Sequence, residues 1–201
     1  MVVVKRLPRY YRYLSDLISH DITRVSSAEL SRKMGVTASQ IRQDFNCFGD
    51  FGQQGYGYNV KHLHAKIGEI LGLDEHYSLI IVGAGNLGHA LANYAGIEKR
   101  GYRIIGIFDN DPQKIGTKIK NISVSDVATL ESFCSQNQVD IAVLTLPKTE
   151  INSVTDKLVA SGVRGLWNFS YMELNVPEHI AVENVHLSDS LMTLSYKISQ
   201  E

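Results

Sequence analysis

The sequence of 201 residues is poor in cysteine and proline: it has Cys47, Cys134 and four prolines. Two cysteines so far apart build no disulfide framework, and they suit a reducing compartment. No apolar run approaches the ~20 residues that a membrane-spanning helix needs. The opening Met1-Val2-Val3-Val4-Lys5-Arg6 puts its charge after a short apolar stretch, the reverse of signal-peptide order. Cytoplasmic residence and no membrane partner are expected. His62-Leu63-His64 is a pair that nothing completes into a ligand set, so no metal is expected. There is no low-complexity segment and no internal repeat. A net charge of −1 excludes nothing by itself, but its distribution is uneven. Residues 1–68 hold ten Lys/Arg against five Asp/Glu, and the rest hold ten against sixteen. A basic first third on an acidic body is the asymmetry of a chain whose leading part meets phosphates.

What is present is a capped helical region followed by alternating strands and helices. Pro8 can open a helix, and over residues 9–19 Tyr10, Tyr13, Leu14, Leu17 and Ile18 share one face. Ser26-Ser27-Ala28-Glu29 reads as a capping box for a helix ending near Gly35. Thr37-Ala38-Ser39-Gln40 reads as a second box, for a helix through Ile41 and Phe45 to about Phe48. Two capped helices joined by a short turn at a glycine form a helix-turn-helix. Residues 49–58 interleave glycines with Phe51, Tyr56 and Tyr58, which predicts a β-hairpin and so a winged helix. A further helix is expected over residues 61–71. Beyond Tyr77, strands are predicted at 78–82, 103–108, 140–145 and 164–167, and helices at 86–96, 125–136 and 149–161. Such alternation implies a parallel sheet with right-handed crossovers, an α/β fold. Leu187, Leu191, Leu194 and Ile198 form a single apolar stripe at the end of the chain. That stripe can dock on its own sheet or on a partner subunit. The expected domains are a winged-helix DNA-binding domain at 1–76, a Rossmann NAD(H)-binding domain at 77–184, and a C-terminal helix at 185–201.

The strand ending at Val82 runs straight into Gly83-Ala84-Gly85-Asn86-Leu87-Gly88, a G-x-G-x-x-G with a strand before it and a helix after it. Gly83 makes the tight turn, Gly85 lets the backbone approach a pyrophosphate, and Gly88 allows close packing. The phosphates are then held by free amides at the positive end of the helix. Asp109 lies 21 residues beyond Gly88, where a carboxylate accepts from a ribose 2′-hydroxyl and repels a 2′-phosphate. NAD(H) is therefore favoured over NADP(H). Thr145, Leu146 and Pro147 follow the next central strand, at the edge where the nicotinamide half is expected.

In the helix-turn-helix, the second helix is the one that enters the major groove. Its early residues Thr37, Ser39, Gln40, Arg42 and Gln43 are the expected base readers, since Arg pairs with guanine and Gln with adenine. Ser26 and Ser27 can bind phosphate. The hairpin tip, with Gln53, Gln54 and Tyr56 and with Tyr58 beside it, can reach a minor groove. Cys47 is on the recognition helix, where an oxidisable thiol and a packing role are both open. A small NAD-dependent dehydrogenase or a CoA-binding enzyme subunit is the rival reading. Against it, only about 30 residues follow the sheet, too few for a substrate domain with a positioned acid or base.

The residues then resemble the Rex family of redox-sensing transcriptional repressors over nearly the whole chain. The resemblance rests on Arg6-Leu7-Pro8 with Tyr11-Arg12-Tyr13-Leu14, Arg24 through Leu30, Gln40-Ile41-Arg42-Gln43-Asp44-Phe45 and Gly55-Tyr56-Gly57-Tyr58. It continues through Val82 to Gly88, Phe108-Asp109 with Asp111-Pro112 and Lys114-Ile115-Gly116, Leu166-Trp167-Asn168-Phe169, Val176-Pro177-Glu178 and Glu183-Asn184-Val185. It implies a homodimer with a domain-swapped C-terminal helix, binding a pseudo-palindromic operator. It also implies release by NADH where NAD+ permits binding, and no catalytic residue. Lys114, Tyr94, His186 and Leu187 would face the nucleotide. Arg12, Tyr94 and His186 would form the switch. The family often carries Asp where this chain has His186, and an imidazole cannot reproduce an Asp–Arg pair. A redox response varying between about pH 6 and 7.5 is expected from that change. Gln43, Gln53 and Gln54 stand where relatives often have cations, so a shallow salt dependence of DNA binding is expected.

Overall fold

Met1–Glu75 and His76–Glu201 form two compact units, and a computed structural model describes residues 3–49 and 56–200. In the first unit, helix α1 (Leu7–Ser19) starts with Pro8 in its first turn and buries Leu7, Tyr10, Leu14 and Leu17. This i, i+3, i+4 spacing is that of a helix with one apolar face. Strand β1 (Arg24–Val25) leads into α2 (Ser27–Met34), whose capping box is complete: Ser26 and Glu29 serve one another's backbone amides. Gly35 ends α2 in the left-handed region at φ 64°, where a side chain would be strained. Helix α3 (Ala38–Asn46) follows after three residues, and Thr37 caps it by accepting from the Gln40 amide. The expected reciprocal contact does not form, because the Gln40 side chain donates to Asp44 Oδ1 instead, at 2.9 Å.

Strand β2 (Tyr58–Asn59) pairs antiparallel with β1, and α4 (Val60–Ile70) begins under an Asn59 cap. Leu30, Ile41, Phe45, Leu63 and Ile67 close one core among these elements. The helix-turn-helix and the strand returning from the wing segment are therefore in place. Residues 50–55, with Gln53, Gln54 and most of the expected hairpin, lie outside the described residues.

The second unit is built on β3 (Ser78–Val82), β4 (Arg103–Asp109), β5 (Lys118–Ile119), β6 (Ile122–Asp126), β7 (Ile141–Leu144), β8 (Gly165–Asn168) and β9 (Ala181–Asn184). Their order is β5-β6-β4-β3-β7-β8-β9. Every neighbouring pair is parallel except the β5–β6 edge hairpin. Without that edge this is the doubly wound dinucleotide-binding order, reversing direction between β3 and β7. Helices α5 (Asn86–Asn93), α6 (Ala95–Glu98), α7 (Leu130–Gln136) and α8 (Ile151–Ala160) connect the strands. Separate apolar clusters fill the space on the sheet, one around Ile80, Phe108 and Leu144, the other around Ile81, Ile107 and Val143. The alternation of side chains along each strand explains this division.

The structure differs from the sequence reading at several elements. The helix expected over 86–96 breaks at Tyr94, whose ψ of 103° is not helical. The segment expected as helix from 125 starts as the end of β6 and one 3-10 turn before α7 begins. β5, β6 and β9 were not anticipated. Helix α9 (Leu187–Ile198) has the expected bounds, but no residue in it is buried. Leu187, Leu191, Met192, Leu194, Tyr196 and Ile198 are all more than half exposed, so docking on its own sheet is set aside.

Candidate functional site

The carboxyl edge of the sheet gathers most of the predicted cofactor residues. Gly83 leaves β3 with φ 105°, and a Cβ there would come within 2.6 Å of the Thr145 carbonyl. Thr145 donates its hydroxyl to the Gly83 carbonyl at 2.7 Å. It therefore fixes the loop and has its hydrogen engaged within the protein. Gly88 is required by packing: a Cβ would drive into the Gly83 carbonyl oxygen and meet Thr145 Oγ1 at 2.9 Å. Gly85 differs from both, because a Cβ there would meet nothing within 4 Å. The loop shape does not need that glycine, and the space in front of it is open. No side chain caps α5 at Gly85, whereas Ser26, Thr37 and Asn59 cap α2, α3 and α4. The first-turn amides of α5 thus present the positive end of the helix to that space.

Asp109 closes one end of this cradle and is 5% exposed. Its Oδ2 accepts from the Ala84 amide at 2.6 Å and its Oδ1 from the Asp111 amide at 2.9 Å. Lys114 Nζ lies 3.3 and 3.4 Å from the two oxygens. Burial pushes the carboxyl pKa up, but the Asp111 and Ala84 amides and the Lys114 ammonium outweigh it and hold it below the usual range. Asp109 is therefore an anion that shapes the glycine loop at the carboxyl edge of the sheet.

Across the sheet, Thr145 and Leu146 are half-buried and Pro147 is exposed. Beyond β8, the Tyr171 ring stacks on His186 with centroids 5.9 Å apart, and Lys148 Nζ lies 6.0 Å from the Tyr171 centroid. Neither Tyr171 nor Lys148 belongs to a motif in the sequence. Buried Asn168 accepts from Ser170 and donates to Asn184 Oδ1 and the Met172 carbonyl. That network fixes the turn that presents Tyr171. His186 stands at the N-cap of α9, directly before Leu187. Tyr94 is 57% exposed and lays its ring over Gly96. Arg12 belongs to the other unit, exposed on α1.

In the first unit, Ser39, Arg42 and Gln43 are exposed on α3, and Asn46 shares their face one turn on. Asn46 was not singled out from the sequence, although its i+7 spacing from Ser39 was the available signal. Thr37 is exposed at the helix start. Arg42 donates to Ser27 Oγ at 3.1 Å, which joins two predicted DNA residues across the turn. The Ser26 hydroxyl is committed to Glu29. Gln40 is half-buried and tied to Asp44, and Tyr58 packs edge-on against Phe45 at 5.0 Å. Both side chains thus have partners within their own unit, while Tyr56 is 74% exposed. Cys47 is exposed and free just past α3.

What orients α3 is a polar cluster. Asp44 is fully buried, and Arg6 grips it with Nε at 2.6 Å and Nη2 at 2.5 Å. Tyr10 adds its hydroxyl at 2.8 Å. Burial pushes the Asp44 pKa up, yet the bonds from Arg6, Tyr10 and Gln40 reverse that and hold it low. Burial and the Asp44 carboxylate raise the Tyr10 phenol.

Among the described residues no helix is long and apolar enough to cross a membrane. Two family models match the chain: "CoA binding domain" over residues 74–172 and "Putative DNA-binding protein N-terminus" over residues 1–46. The redox-sensing transcriptional repressor Rex of Thermoanaerobacter sp. (strain X514) is 54% identical over all of this chain and 90% of its own length. That of Clostridium tetani (strain Massachusetts / E88) is 53% identical over all of this chain and 95% of its own. The crystal structure of RSP, described as a Rex-family repressor, superposes with a TM-score of 0.93 at 51% identity, covering 100% of this chain and 93% of that one. RSP with β-NAD+ and operator DNA matches at TM-score 0.93 and 54% identity, covering 100% and 92%. RSP with β-NADH matches at TM-score 0.93 and 50% identity, covering 100% and 94%.

Proposed function

The chain belongs to the Rex family of redox-sensing transcriptional repressors, and from that premise we propose that it binds operator DNA and leaves it when NADH occupies the carboxyl edge of its sheet. Its operator occupancy then reports the NADH/NAD+ ratio in the cytoplasm. The observation that carries this reading is the open space before Gly85 at an uncapped helix start, in a chain whose first unit is a helix-turn-helix. The relatives' structures with NAD+ and operator DNA, and with NADH, support it. Those relatives are named repressors, and this chain is read as a regulator, not an enzyme.

Division of labour follows 1–76 for DNA, 77–184 for the nucleotide and 185–201 for assembly. On the DNA side, Ser39, Arg42 and Gln43 read bases, while Ser27, Thr37, Gln53, Gln54 and Tyr56 hold backbone or groove, and Ser26, its hydroxyl engaged by Glu29, contributes the helix start that it caps. Gln40 and Tyr58 support that surface. On the nucleotide side, the amides of the Gly83–Gly88 loop take the pyrophosphate, Asp109 the adenine ribose, and the edge from Thr145 to His186 the nicotinamide half. Arg12, Tyr94 and His186 make up the switch. NADH and NAD+ differ by a hydride and one positive charge, and only a difference in their affinities for the two states shifts occupancy. The apolar stripe of α9 is covered in a homodimer, by exchange of the helix between subunits.

A fluorescent pseudo-palindromic operator, selected from random sequence, is titrated with NADH and with NAD+ at fixed salt. Release by NADH at a concentration where NAD+ has no effect is expected. Binding that ignores both nucleotides overturns the reading. In the same assay the slope of log affinity against log salt is expected to be shallow, roughly −4 to −6, because few cations meet phosphates at about 0.9 per contact. A slope near −10 contradicts it. Deleting residues 187–201 should give a monomer by sedimentation and weaken operator binding by about 100-fold or more, since the second half-site is then no longer linked to the first.

A further inference from the structure

We propose that Lys114 sets this protein's discrimination between a 2′-hydroxyl and a 2′-phosphate on the adenine ribose. This rests on reading the glycine-loop edge as the nucleotide site.

An ionised carboxylate offers about four acceptor positions. At Asp109 two are filled by short backbone bonds, from Ala84 at 2.6 Å and Asp111 at 2.9 Å. The others face Lys114 Nζ at 3.3 and 3.4 Å, which are long for charge-assisted bonds. A ribose hydroxyl that donates to Asp109 must replace the weakest partner, and that partner is Lys114. The amides cannot yield without opening the glycine loop, whereas the lysine head sits on a flexible stem whose side chain is 39% exposed.

The displaced ammonium cannot go far. The Lys114 amide donates to the Asp111 carbonyl at 2.9 Å. The Lys114 carbonyl accepts from the Thr117 hydroxyl at 2.5 Å. Nζ also lies 3.6 Å from Asp111 Oδ2. One cation therefore stands beside the ribose 2′ position against two carboxylates, Asp109 and Asp111. With Lys114 present, the local charge opposing a 2′-phosphate is one negative unit. Without it the charge is two, and a phosphate close by feels the difference while a neutral hydroxyl does not.

Nicotinamide fluorescence titrations of the full chain with NADH and with NADPH test this on three proteins. Lys114→Met keeps the stem and removes the charge. It is expected to widen the NADPH/NADH dissociation-constant ratio by about tenfold or more, the ratio being the readout because the NADH constant itself moves when its competitor for Asp109 is removed. Asp111→Asn keeps an acceptor for the Gln113 amide and removes one negative charge, so it is expected to narrow the ratio several-fold. Opposite movements of the ratio support the assignment. A ratio unchanged in both variants, or an equal loss of both nucleotides in Lys114→Met, overturns it. A parent protein that binds neither nucleotide overturns the reading of the edge itself, and is told apart by its NADH arm alone.

Discussion

Gly85→Ala is expected to weaken NADH binding by about 100-fold or more, close to 2.7 kcal/mol, and to leave the thermal stability of the second unit within a degree or two. The backbone at Gly85, φ −72° and ψ −172°, is open to any residue. A Cβ there touches nothing within 4 Å of the protein, so folding does not oppose the change. The methyl group would instead fill the space that a pyrophosphate must enter to reach the α5 amides. Gly88→Ala provides the contrast, because its Cβ strikes the Gly83 carbonyl and Thr145 Oγ1. Helix α5 has to shift, and overpacking of this kind costs about 1–3 kcal/mol. Calorimetry alongside NADH titration separates the two, with affinity lost at Gly85 and stability at Gly88. NADH affinity unchanged in Gly85→Ala would place the phosphates elsewhere.

Asp44→Asn is expected to destabilise the first unit by about 3 kcal/mol and to lower its melting temperature by roughly 12–24 °C. The lower end of the range for a broken buried pair is used because the Arg6 side chain is 25% exposed. An amide in place of the carboxylate keeps one acceptor and turns NH2 donors toward Arg6 and Tyr10, both of which were donating. Operator binding should fall with stability, while NADH affinity in the second unit serves as the unchanged control. The same ion pair fixes a pH dependence. The Asp44 pKa is lowered in the folded unit, so its contribution is present above the unfolded value of about 3.9 and is lost as pH falls through the folded value. Acid unfolding of the first unit should therefore set in below about pH 4, and its acid limb should flatten in Asp44→Asn. An equally steep limb in the variant argues against this role.

Much of this was legible in the sequence where local chemistry decides the outcome. The Ser26–Glu29 box, the Gly35 stop, Pro8 at the start of α1, and the run from Val82 into three glycines each act within a few residues. They appear as read. The failures involve partners far apart in the chain. Gln40 reads as the return arm of a capping box. A carboxylate four residues on, itself held by Arg6, claims its side chain. Asp44 falls on the Ile41–Phe45 face of α3, and a charge in an apolar stripe was the one available sign of a buried ion pair. β5 spans two residues, β6 buries only Val124, and β9 is mostly exposed, so alternation had little contrast to show. The Tyr171–His186 stack joins a loop to a helix start, and no spacing rule links them.

Helix α9 also bears on the life of the chain before it is assembled. Its bounds span twelve residues, a length at which an isolated helix is marginal in water. Its large apolar side chains are all more than half exposed. In the proposed homodimer, lasting helical order in this segment is expected only on association. Unpaired chains are expected to present a fraying, Leu-rich segment to proteases. In the proposed dimer, protection of this segment from proteolysis is expected to rise with protein concentration.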